Sequence, residues 1–415
     1  MRADPRIAYV MLWFPLASET FIFREVENLS ASGLNIRAYT MYGNSPHGLS
    51  EKMKTWPGQV ERMGCKAVAP IWRSFWRAFC KRPGYVWRLM REGLFRKMRN
   101  LESQAENTWC FMGGFLLAEK CQADGINLIH SAWANGPATA AWVASRLTGI
   151  PFAFSGRAGD IYPQDGLLAE KSRDAKFIRT NNAANVKWLQ TFCPPAETDK
   201  VKLVYNGLTF SECNAHREKP GPRGARLLAV GRFARTKGFP QLFTAIARLK
   251  RENFPVHLTL VGDGAWKRRL LKLRKNLGLE EYIDMPGFVP NDRLTGYMRE
   301  HDLLVVPSVV HTNGDRDGIP NVIMEACCSG LPVVATDVCG ISEVIQNGET
   351  GWLVPQRNPA ALACAIREAL ENPVKAVSFA KNASARVATM FDSQRNNSAL
   401  VELYQKAAAS AHGKA

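Results

Sequence analysis

The chain has 415 residues, 46% of them hydrophobic and 22% charged, so it is long enough for two or three domains and too apolar for a disordered protein. Its formal net charge of +17 favours partners that carry phosphate or other anionic groups. The longest apolar run, Ile7 to Ala17, is too short for a membrane-spanning helix, which needs roughly 20 residues.

The apolar run near the N-terminus has two possible interpretations. It follows Arg2 and Arg6, as the apolar part of a signal peptide would, but it leads through Ser18 into an amphipathic stretch, TFIFREVENL. We therefore expect Ile7–Phe14 to be a buried first strand. The ten cysteines include no CxxC pair, which is typical of neither a disulfide framework nor a zinc site and favours a reducing cytoplasm.

Short β-rich runs then alternate with helical stretches through the first half of the chain. Several are apolar on both faces, as parallel strands covered by helices should be. Besides Ile7–Phe14, the predicted strands are Asn35–Tyr42, Asn127–Trp133, Pro151–Ser155, Phe177–Asn181 and Lys202–Tyr205.

A basic and aromatic segment interrupts this half at residues 62–100. Eleven Lys or Arg residues lie between Arg62 and Arg99, with Glu92 as the single acid. Aromatic residues recur at helical spacing, and Pro83 divides the stretch into two predicted helices. Two interpretations follow: docking on an anionic membrane surface, which we favour, or an ordinary helix pair with its aromatics packed on the domain. We expect no nucleic-acid binding, since no recognition motif accompanies the charge.

A polar stretch with Pro and Gly, within residues 208–224, reads as a linker, and the alternation then restarts. The predicted strands of the second half are Arg226–Gly231, His257–Gly262, Tyr282–Met285, Leu303–Pro307, Pro332–Thr336 and Trp352–Val354. The sequence thus predicts an α/β protein with two doubly wound domains. In such domains ligands bind beyond the carboxyl ends of the strands, so we expect the site in a cleft between the two.

The most specific segment is DGIPNVIMEACCSGLPVVATDVCGISEVI, Asp317 to Ile345. Pro320 suits the first turn of a helix that Gly330 ends, and free amides at that start favour an anion. Asp317 and Glu325 can accept hydrogen bonds from sugar hydroxyls. Asn313, Asp315, Asp317 and Gly318 imitate the first half of a calcium-binding EF-hand loop, but Met324 stands where that loop needs Glu, so we reject a calcium site.

This segment resembles the signature of family 4 of the retaining glycosyltransferases, which have the GT-B fold of two Rossmann-like domains. The signature is an acidic residue, seven intervening residues and Glu; here the first acid is Asp317, where the family usually has Glu. The resemblance implies that Asp317 lies near the donor hexose and that Glu325 binds the donor ribose. The adjoining donor-binding positions are Gly318, Ile319, Pro320 and Asn321.

The segment GRFARTKGF, Gly231 to Phe239, resembles a second element of the family. The resemblance implies that Arg232 and Lys237 bind the donor diphosphate. Such fixed cations stabilise the charge that develops on a leaving diphosphate, so we expect a UDP- or GDP-sugar donor, no cofactor and no metal. Weaker matches, VGDG and GFVP, place Gly262, Phe288 and Val289 near the nucleotide.

The first half is similar to a subgroup of exopolysaccharide and colanic-acid glycosyltransferases in FPLASETFIFREVENL, HSAWANGPATAAWVASRLTGIPFAFS and GDIY. That subgroup usually has a His beside the reacting sugar where this chain has Arg157, a candidate catalytic residue that can stabilise phosphate but is a poor proton acceptor. Either the acceptor chemistry differs or the activity is weakened. His130 is either catalytic or a packed residue at a strand end. Asp160 is either an acceptor ligand or a helix cap, and Glu19 is either an acceptor contact or a helix-start carboxylate.

These observations predict an acceptor-binding domain at 1–207, a linker at 208–224, a donor-binding domain at 225–385 and a returning helix within 386–415. The predicted protein is a retaining hexosyltransferase that uses a lipid-linked or oligosaccharide acceptor and lies peripherally on the inner face of the plasma membrane. The alternatives are another GT-B activity, such as an epimerase or phosphorylase, and a non-catalytic membrane-associated scaffold that keeps the donor fold.

Overall fold

The computed structural model describes residues 5–44, 48–96, 98, 100–163, 166–207 and 225–409, except for the side chains of residues 291 and 292. The chain divides into two compact units. Unit 1 is Met1–Gly207 together with Ser393–Ala415, and unit 2 is Leu208–Asp392. The predicted linker, 208–224, lies outside the described residues.

Unit 1 is built on a seven-stranded sheet in which every pairing is parallel. The strand order is β3-β2-β1-β4-β5-β6-β7, so the order reverses direction between β1 and β4. The strands are β1 (Arg6–Met11), β2 (Asn35–Thr40), β3 (Val60–Arg62), β4 (Leu128–Ser131), β5 (Phe152–Gly156), β6 (Ile178–Thr180) and β7 (Val201–Leu203).

Helices cover both faces of this sheet, which is why Ile7 to Met11 are buried without alternation. The first helix has the expected apolar stripe, with Ile22, Val26 and Leu29 buried. The helices are α1 (Thr20–Ala31), α2 (Glu51–Lys54), α3 (Val68–Lys81), α4 (Pro83–Gly93), α5 (Leu101–Ala123), α6 (Gly136–Thr148), α7 (Ala158–Ile161), α8 (Leu168–Asp174) and α9 (Ala183–Gln190).

Unit 2 repeats the plan with six parallel strands in the order β10-β9-β8-β11-β12-β13. Its strands are β8 (Ala225–Val230), β9 (Val256–Val261), β10 (Ile283–Gly287), β11 (Leu303–Val306), β12 (Val333–Thr336) and β13 (Trp352–Val354). Its helices are α10 (Phe239–Arg251), α11 (Lys267–Asn276), α12 (Asn291–Glu300), α13 (Asn321–Cys328), α14 (Ile341–Val344), α15 (Pro359–Glu371) and α16 (Pro373–Met390).

The last helix, α17 (Ser393–Ala409), belongs to unit 1 although it follows unit 2 in the chain. Asn28 donates a hydrogen bond to Ser393 Oγ at 2.9 Å, and Tyr404 is fully buried among the aromatic residues beneath β4. The helix α16 lies wholly in unit 2, so the structure divides the chain at residues 392 and 393 rather than at the predicted 385.

The alternating α/β plan is therefore confirmed, and each predicted strand has a counterpart in the structure. The sequence prediction missed β3, a three-residue edge strand with the polar sequence VER. The two helices predicted around Pro83 are α3 and α4. In the described part of the chain, no helix combines the length and apolar character needed to cross a membrane.

Candidate functional site

The predicted donor residues of unit 2 lie on loops that follow neighbouring strands. Strand order reverses between β8 and β11, and in open parallel sheets the crevice for a ligand forms at such a point, beyond the carboxyl ends of the strands. The loop after β8 carries Arg232 and Lys237, and the loop after β11 carries Asp317. Topology alone thus directs these residues to one place.

Close packing fixes the loop after β8 against the end of β11. Gly238 has φ +63°, and a Cβ atom there would lie 1.7 Å from the carbonyl oxygen of Pro307. The amide of Val309 donates a hydrogen bond of 2.8 Å to the carbonyl of Thr236. Glycine is required at this contact, and it brings Lys237 beside the loop after β11.

The Asp317 carboxylate is held from two sides. Lys237 Nζ donates to one carboxylate oxygen at 2.8 Å, and Ser308 Oγ donates to the other at 2.5 Å. The Ser308 carbonyl in turn accepts a 2.5 Å hydrogen bond from the Thr336 hydroxyl on β12. Two of the predicted site residues are therefore in direct contact, and the second partner of Asp317 comes from the end of a buried strand.

Two arginines of the loop after β8 lie close enough to the loop that carries Asp317 to affect its charges. Arg232 and Arg235 are exposed at the start of the loop after β8. Burial raises the pKa of the nearby Asp315 carboxyl, the negative charge of Asp317 raises it further, and Arg235 and Arg232 act in the opposite direction. The two exposed arginines and the two carboxylates are thus close together, and the arginines can bind an anionic ligand.

The sequence argument for a metal-free site assumed that the chain has no Asp-x-Asp triplet, which is wrong, because Asp315-Arg316-Asp317 is one, with a spacing that can hold a divalent ion. Within the described ranges, no three His, Cys, Asp or Glu side chains come together in an arrangement that could hold a metal. Asp317 instead engages an ammonium group and a hydroxyl. Metal independence stays a prediction.

The weaker sequence matches also converge at this edge of the sheet. A Cβ atom on Gly262 would lie 2.0 Å from the carbonyl oxygen of Gly231, and the Gly262 amide donates to the Gly287 carbonyl at 2.8 Å. The turns after β8, β9 and β10 are therefore in backbone contact. Phe288, next in the chain, is 57% exposed, and Val289 is partly buried.

The helix α13 begins where the sequence predicts, with Pro320 at its N-cap position. Ile319 is buried, whereas Gly318 and Asn321 are partly exposed at the helix start. Glu325 lies one turn in and is partly exposed. The predicted roles of these residues toward a donor stay predictions.

Unit 1 has its own reversal point, between β1 and β4, and the predicted acceptor-side residues lie around it. Glu19 precedes α1 and accepts a 3.4 Å hydrogen bond from the indole of Trp133, which follows β4. The Arg157 guanidinium, after β5, lies 4.5 Å from the ring centre of Phe21 and 5.4 Å from that of Trp133. Sequence positions 19, 133 and 157 are thereby brought together.

Arg157 is also part of a buried ionic network. Its side chain is 5% exposed, one guanidinium nitrogen lies 3.5 Å from Glu25, and another donates to Asn206 at 3.1 Å. Arg179 lies 3.1 Å from the same Glu25 carboxylate, and Tyr9 donates to it at 2.5 Å. Burial alone would raise the pKa of Glu25, but Arg179 and Arg157 outweigh it and hold that pKa below its usual value.

His130 is fully buried on β4, between the rings of Tyr9, Phe177 and Tyr404. Its Nε2 lies 3.1 Å from Ser155 Oγ. Burial lowers its pKa to about 3, so the imidazole is neutral at ordinary pH. Of the two interpretations of His130, this environment matches the packed residue, and a catalytic role stays a prediction.

Asp160 is 6% exposed and caps the backbone of two loops. Its carboxylate accepts from the amides of Arg157 at 2.7 Å and Ala134 at 2.6 Å. Burial raises its pKa to about 7, against the effect of these two amides. Asp160 thus ties the loop after β4 to the loop after β5, as the helix-cap interpretation expects.

Three residues of these networks were missed by the sequence analysis: Ser308, Glu25 and Arg179. Each had a signal. Ser308 is the first polar residue after the apolar strand β11, at the edge where ligands bind. Glu25 lies on the buried face of α1, and Arg179 lies inside the apolar strand β6, so both are charges that need buried partners.

The comparisons with known proteins agree with this geometry. Residues 214–386 match the family described as glycosyl transferases group 1. The matched residues fall within unit 2. The chain is 32% identical over 214 residues to a Salmonella typhimurium protein that is provisionally named colanic acid biosynthesis glycosyltransferase WcaL, covering 51% of this chain and 52% of that protein. It is 28% identical to the amylovoran biosynthesis glycosyltransferase AmsK of Erwinia amylovora, covering 52% of each.

The chain matches these curated relatives over about half of their length. Among solved structures, sucrose-phosphate synthase of Thermosynechococcus elongatus aligns with a TM-score of 0.73 at 19% identity, covering 98% of this chain and 100% of that one. Anabaena HepE in complex with UDP aligns with a TM-score of 0.69 at 18% identity, covering 97% and 100%. The two parallel-sheet units have the GT-B fold.

The Glu25 network gives a stability prediction. Replacing Glu25 with Ala leaves two buried guanidinium groups without their carboxylate, so we expect a loss of about 3–5 kcal/mol in the free energy of unfolding of unit 1. Urea denaturation followed by tryptophan fluorescence measures it, because nine of the eleven tryptophans lie in unit 1.

The matched control is Glu27→Ala, two positions along the same helix. Glu27 pairs at 2.8 Å with Lys52, whose side chain is 68% exposed, so its loss should cost about 1 kcal/mol or less. Equal stability of the two variants would show that the buried network contributes nothing beyond a surface ion pair.

Proposed function

We propose that the chain is a retaining glycosyltransferase that moves a hexose from a nucleoside-diphosphate sugar to a lipid-linked glycan acceptor in exopolysaccharide synthesis. The contact of Lys237 with Asp317 at the reversal point of unit 2, within the residues that match glycosyl transferases group 1, carries the proposal. A lysine for the diphosphate and a carboxylate for the sugar are what a donor site needs at the bond that breaks.

In the proposed donor complex, Lys237 and Arg232 bind the phosphate oxygens, and Asp317 faces the hexose. Lys237 would then exchange its contact with the Asp317 carboxylate for a contact with the more highly charged diphosphate. Ser308 keeps its hydrogen bond to Asp317 during this exchange and holds the carboxylate in place. The solved structure of HepE with UDP supports a nucleoside-diphosphate donor for this fold.

Transfer then proceeds on the same face of the sugar. The bond between the anomeric carbon and the diphosphate oxygen breaks, and the acceptor hydroxyl oxygen forms the new bond to that carbon. The hydroxyl proton passes to the departing phosphate oxygen, and the lysine and arginine charges stabilise the resulting dianion. No protein base is needed, which is compatible with Arg157 at the position where the related subgroup has His.

The acceptor assignment draws on the names of two relatives, which place them in colanic acid and amylovoran biosynthesis. A lipid-linked acceptor, as proposed here, would lie at a membrane, and α3 and α4 suit such a surface. Trp72, Trp76 and Trp87 are each more than half exposed, whereas Phe75 is buried against Phe115. The segment therefore has both an inward and an outward aromatic face.

Charge on these helices supports the same docking. Arg73, Arg88 and Arg91 are exposed beside the outward tryptophans, and α3 contains no acidic residue. An amphipathic helix with exposed tryptophans and basic residues lies well at an anionic lipid surface. We therefore place the enzyme peripherally at the cytoplasmic face of the membrane. Lys97 and Arg99, also predicted to take part, lie outside the described residues.

Donor turnover tests the proposal directly. Incubated with a set of UDP- and GDP-sugars, the protein should release nucleoside diphosphate from at least one, and Lys237→Ala should lower that turnover by about 10²-fold or more. Lys272→Ala, which removes an exposed lysine from α11, is the matched control and should change nothing. Binding without turnover would favour the non-catalytic scaffold, and an epimerised nucleotide sugar would favour the epimerase.

Chelation tests the role of the cations. Since Lys237 and Arg232 supply the positive charge, turnover should persist in excess EDTA. The alternative is a divalent metal ion held by the Asp315-Arg316-Asp317 triplet, which would supply the same positive charge. Turnover that is lost in EDTA and restored by magnesium or manganese would contradict the prediction.

Vesicle binding tests the docking surface. The protein should bind anionic vesicles at 0.1 M salt, where the screening length is about 10 Å, and keep part of that binding at 1 M, where it is about 3 Å. The salt-resistant part should disappear when Trp72, Trp76 and Trp87 are replaced by Ser, with donor turnover unchanged.

The control for vesicle binding replaces Leu271, Val374 and Val377 by Ser, because these are exposed apolar residues of unit 2. It should bind as the parent protein does. A parent protein that ignores anionic vesicles at low salt would contradict the docking proposal.

A further inference from the structure

Unit 1 contains an apolar groove of about 490 Å³ between the first turns of α3 and α5. Ile71 forms part of its floor, and Val68, Trp72 and Leu101 stand around its mouth with exposed fractions of 44%, 51% and 89%. Exposed apolar side chains of this size, gathered around one concavity, are typical of a ligand site rather than of ordinary surface.

The groove exists because the two helices pack at one end and part at the other. Phe75 and Phe115 are in edge-to-face contact at 5.2 Å, and farther along Ser74 donates to Glu119 at 2.8 Å. Toward the helix starts, the small residue Ala105 faces α3 and leaves the space open. The opening is thus continuous with a well-packed core.

Polar side chains in the wall direct their polar atoms to the backbone. The Trp109 indole nitrogen donates to the Met41 carbonyl at 2.8 Å, and the Thr108 hydroxyl donates to the Gln104 carbonyl at 2.8 Å. The Gln104 side-chain oxygen accepts from the Met98 amide at 3.0 Å. What these residues present to the groove is therefore mainly hydrocarbon, which selects a hydrocarbon ligand.

The position of the groove in unit 1 indicates which kind of hydrocarbon ligand it binds. The Trp109 hydrogen bond reaches the residue just after β2, and Glu106 accepts from the Gly136 amide, just after β4, at 3.2 Å. The start of α5 therefore lies at the carboxyl edge of the sheet of unit 1. Arg157, predicted to lie on the acceptor side, follows β5 at the same edge.

We propose that this groove binds the hydrocarbon chain of the lipid phosphate that carries the acceptor. Lys66 and Arg73 are exposed bases within two residues of the groove residues Val68 and Trp72 in the sequence, and they match an anionic phosphate, while the exposed acid Glu102 follows Leu101. In this proposal the hydrocarbon chain of the lipid lies among Ile71, Trp72 and Met112. The proposal rests on the proposed function only for the identity of the lipid as the acceptor carrier.

Binding of farnesyl phosphate, a soluble isoprenyl phosphate, tests the groove by isothermal titration calorimetry on the full chain. The parent protein should bind it at least about tenfold more tightly than inorganic phosphate, since burying two methylene groups already gives that factor. Equal affinity for the two probes would overturn the proposal, because it would leave the apolar chain without a role.

Two substitutions test whether the hydrocarbon chain of farnesyl phosphate binds in the groove. Ala105→Trp fills the groove from an exposed helix position and should weaken farnesyl phosphate about tenfold or more, whereas Ala69→Trp adds the same bulk to an exposed position outside the groove and should not. Leu101→Asp should also weaken binding, and Val374→Asp, 86% exposed in unit 2, is its control. Unchanged affinity in both groove variants would overturn the site.

Two further measurements separate this inference from the proposed function. Dihexanoyl phosphatidylglycerol should not displace farnesyl phosphate at equal concentration; displacement would assign the groove to membrane phospholipid instead of the acceptor carrier. Donor turnover without acceptor should be the same in Ala105→Trp and the parent. A chain that binds farnesyl phosphate but turns over no nucleotide sugar would keep the groove and reject the transferase.

Discussion

The ion pair between Lys237 and Asp317 is possible only because two loops from distant parts of the sequence pack without a gap. Eighty residues separate the two side chains, and they meet because β8 and β11 are neighbours in the sheet. Gly238 permits the contact, since any side chain there would collide with the carbonyl of Pro307. Ser308 donates to the second carboxylate oxygen, so Asp317 has a second partner that does not depend on Lys237.

The charged residues of unit 1 form a buried network, unlike the Lys237–Asp317 ion pair of unit 2. Its carboxylate, Glu25, is buried and contacts two arginines and a tyrosine hydroxyl, and both arginines also donate to Asn206. A buried network of this kind gives little net stability over an apolar core, but removing one member is costly. We infer that it holds Arg157 and the loops around it in a defined position, from which the guanidinium can contact Phe21 and Trp133.

Much of this architecture can be predicted from the sequence. Buried parallel strands are apolar throughout, and turn residues separate them from helices, so all strands but β3 could be predicted. That strand is short, polar and at an edge, and its pairing with β2 leaves no periodic signal. The candidate donor residues were predicted because their pattern resembles a known signature, and the structure brings two of them, Lys237 and Asp317, into contact.

What the sequence could not supply are contacts that depend on three dimensions. The sequence around Ser308 does not show that its hydroxyl donates to Asp317. The partners of Glu25 likewise come from distant places: Tyr9 on β1, Arg179 on β6 and Arg157 just after β5. The outward tryptophans and the inward Phe75 are equally apolar, and only packing on Phe115 separates them. His130 shows the same limit, since its position on β4 was predicted but its complete burial was not.

The central claim is that Lys237, which contacts Asp317, binds the diphosphate instead when the donor is present. Calorimetric dissociation constants of UDP and GDP for the parent and for Asp317→Asn test it most directly. Because the substitution removes the competing carboxylate charge, the variant should bind the preferred nucleoside diphosphate as tightly as the parent or more tightly, while losing turnover of the nucleotide sugar. A variant that binds the diphosphate about tenfold more weakly would contradict the claim.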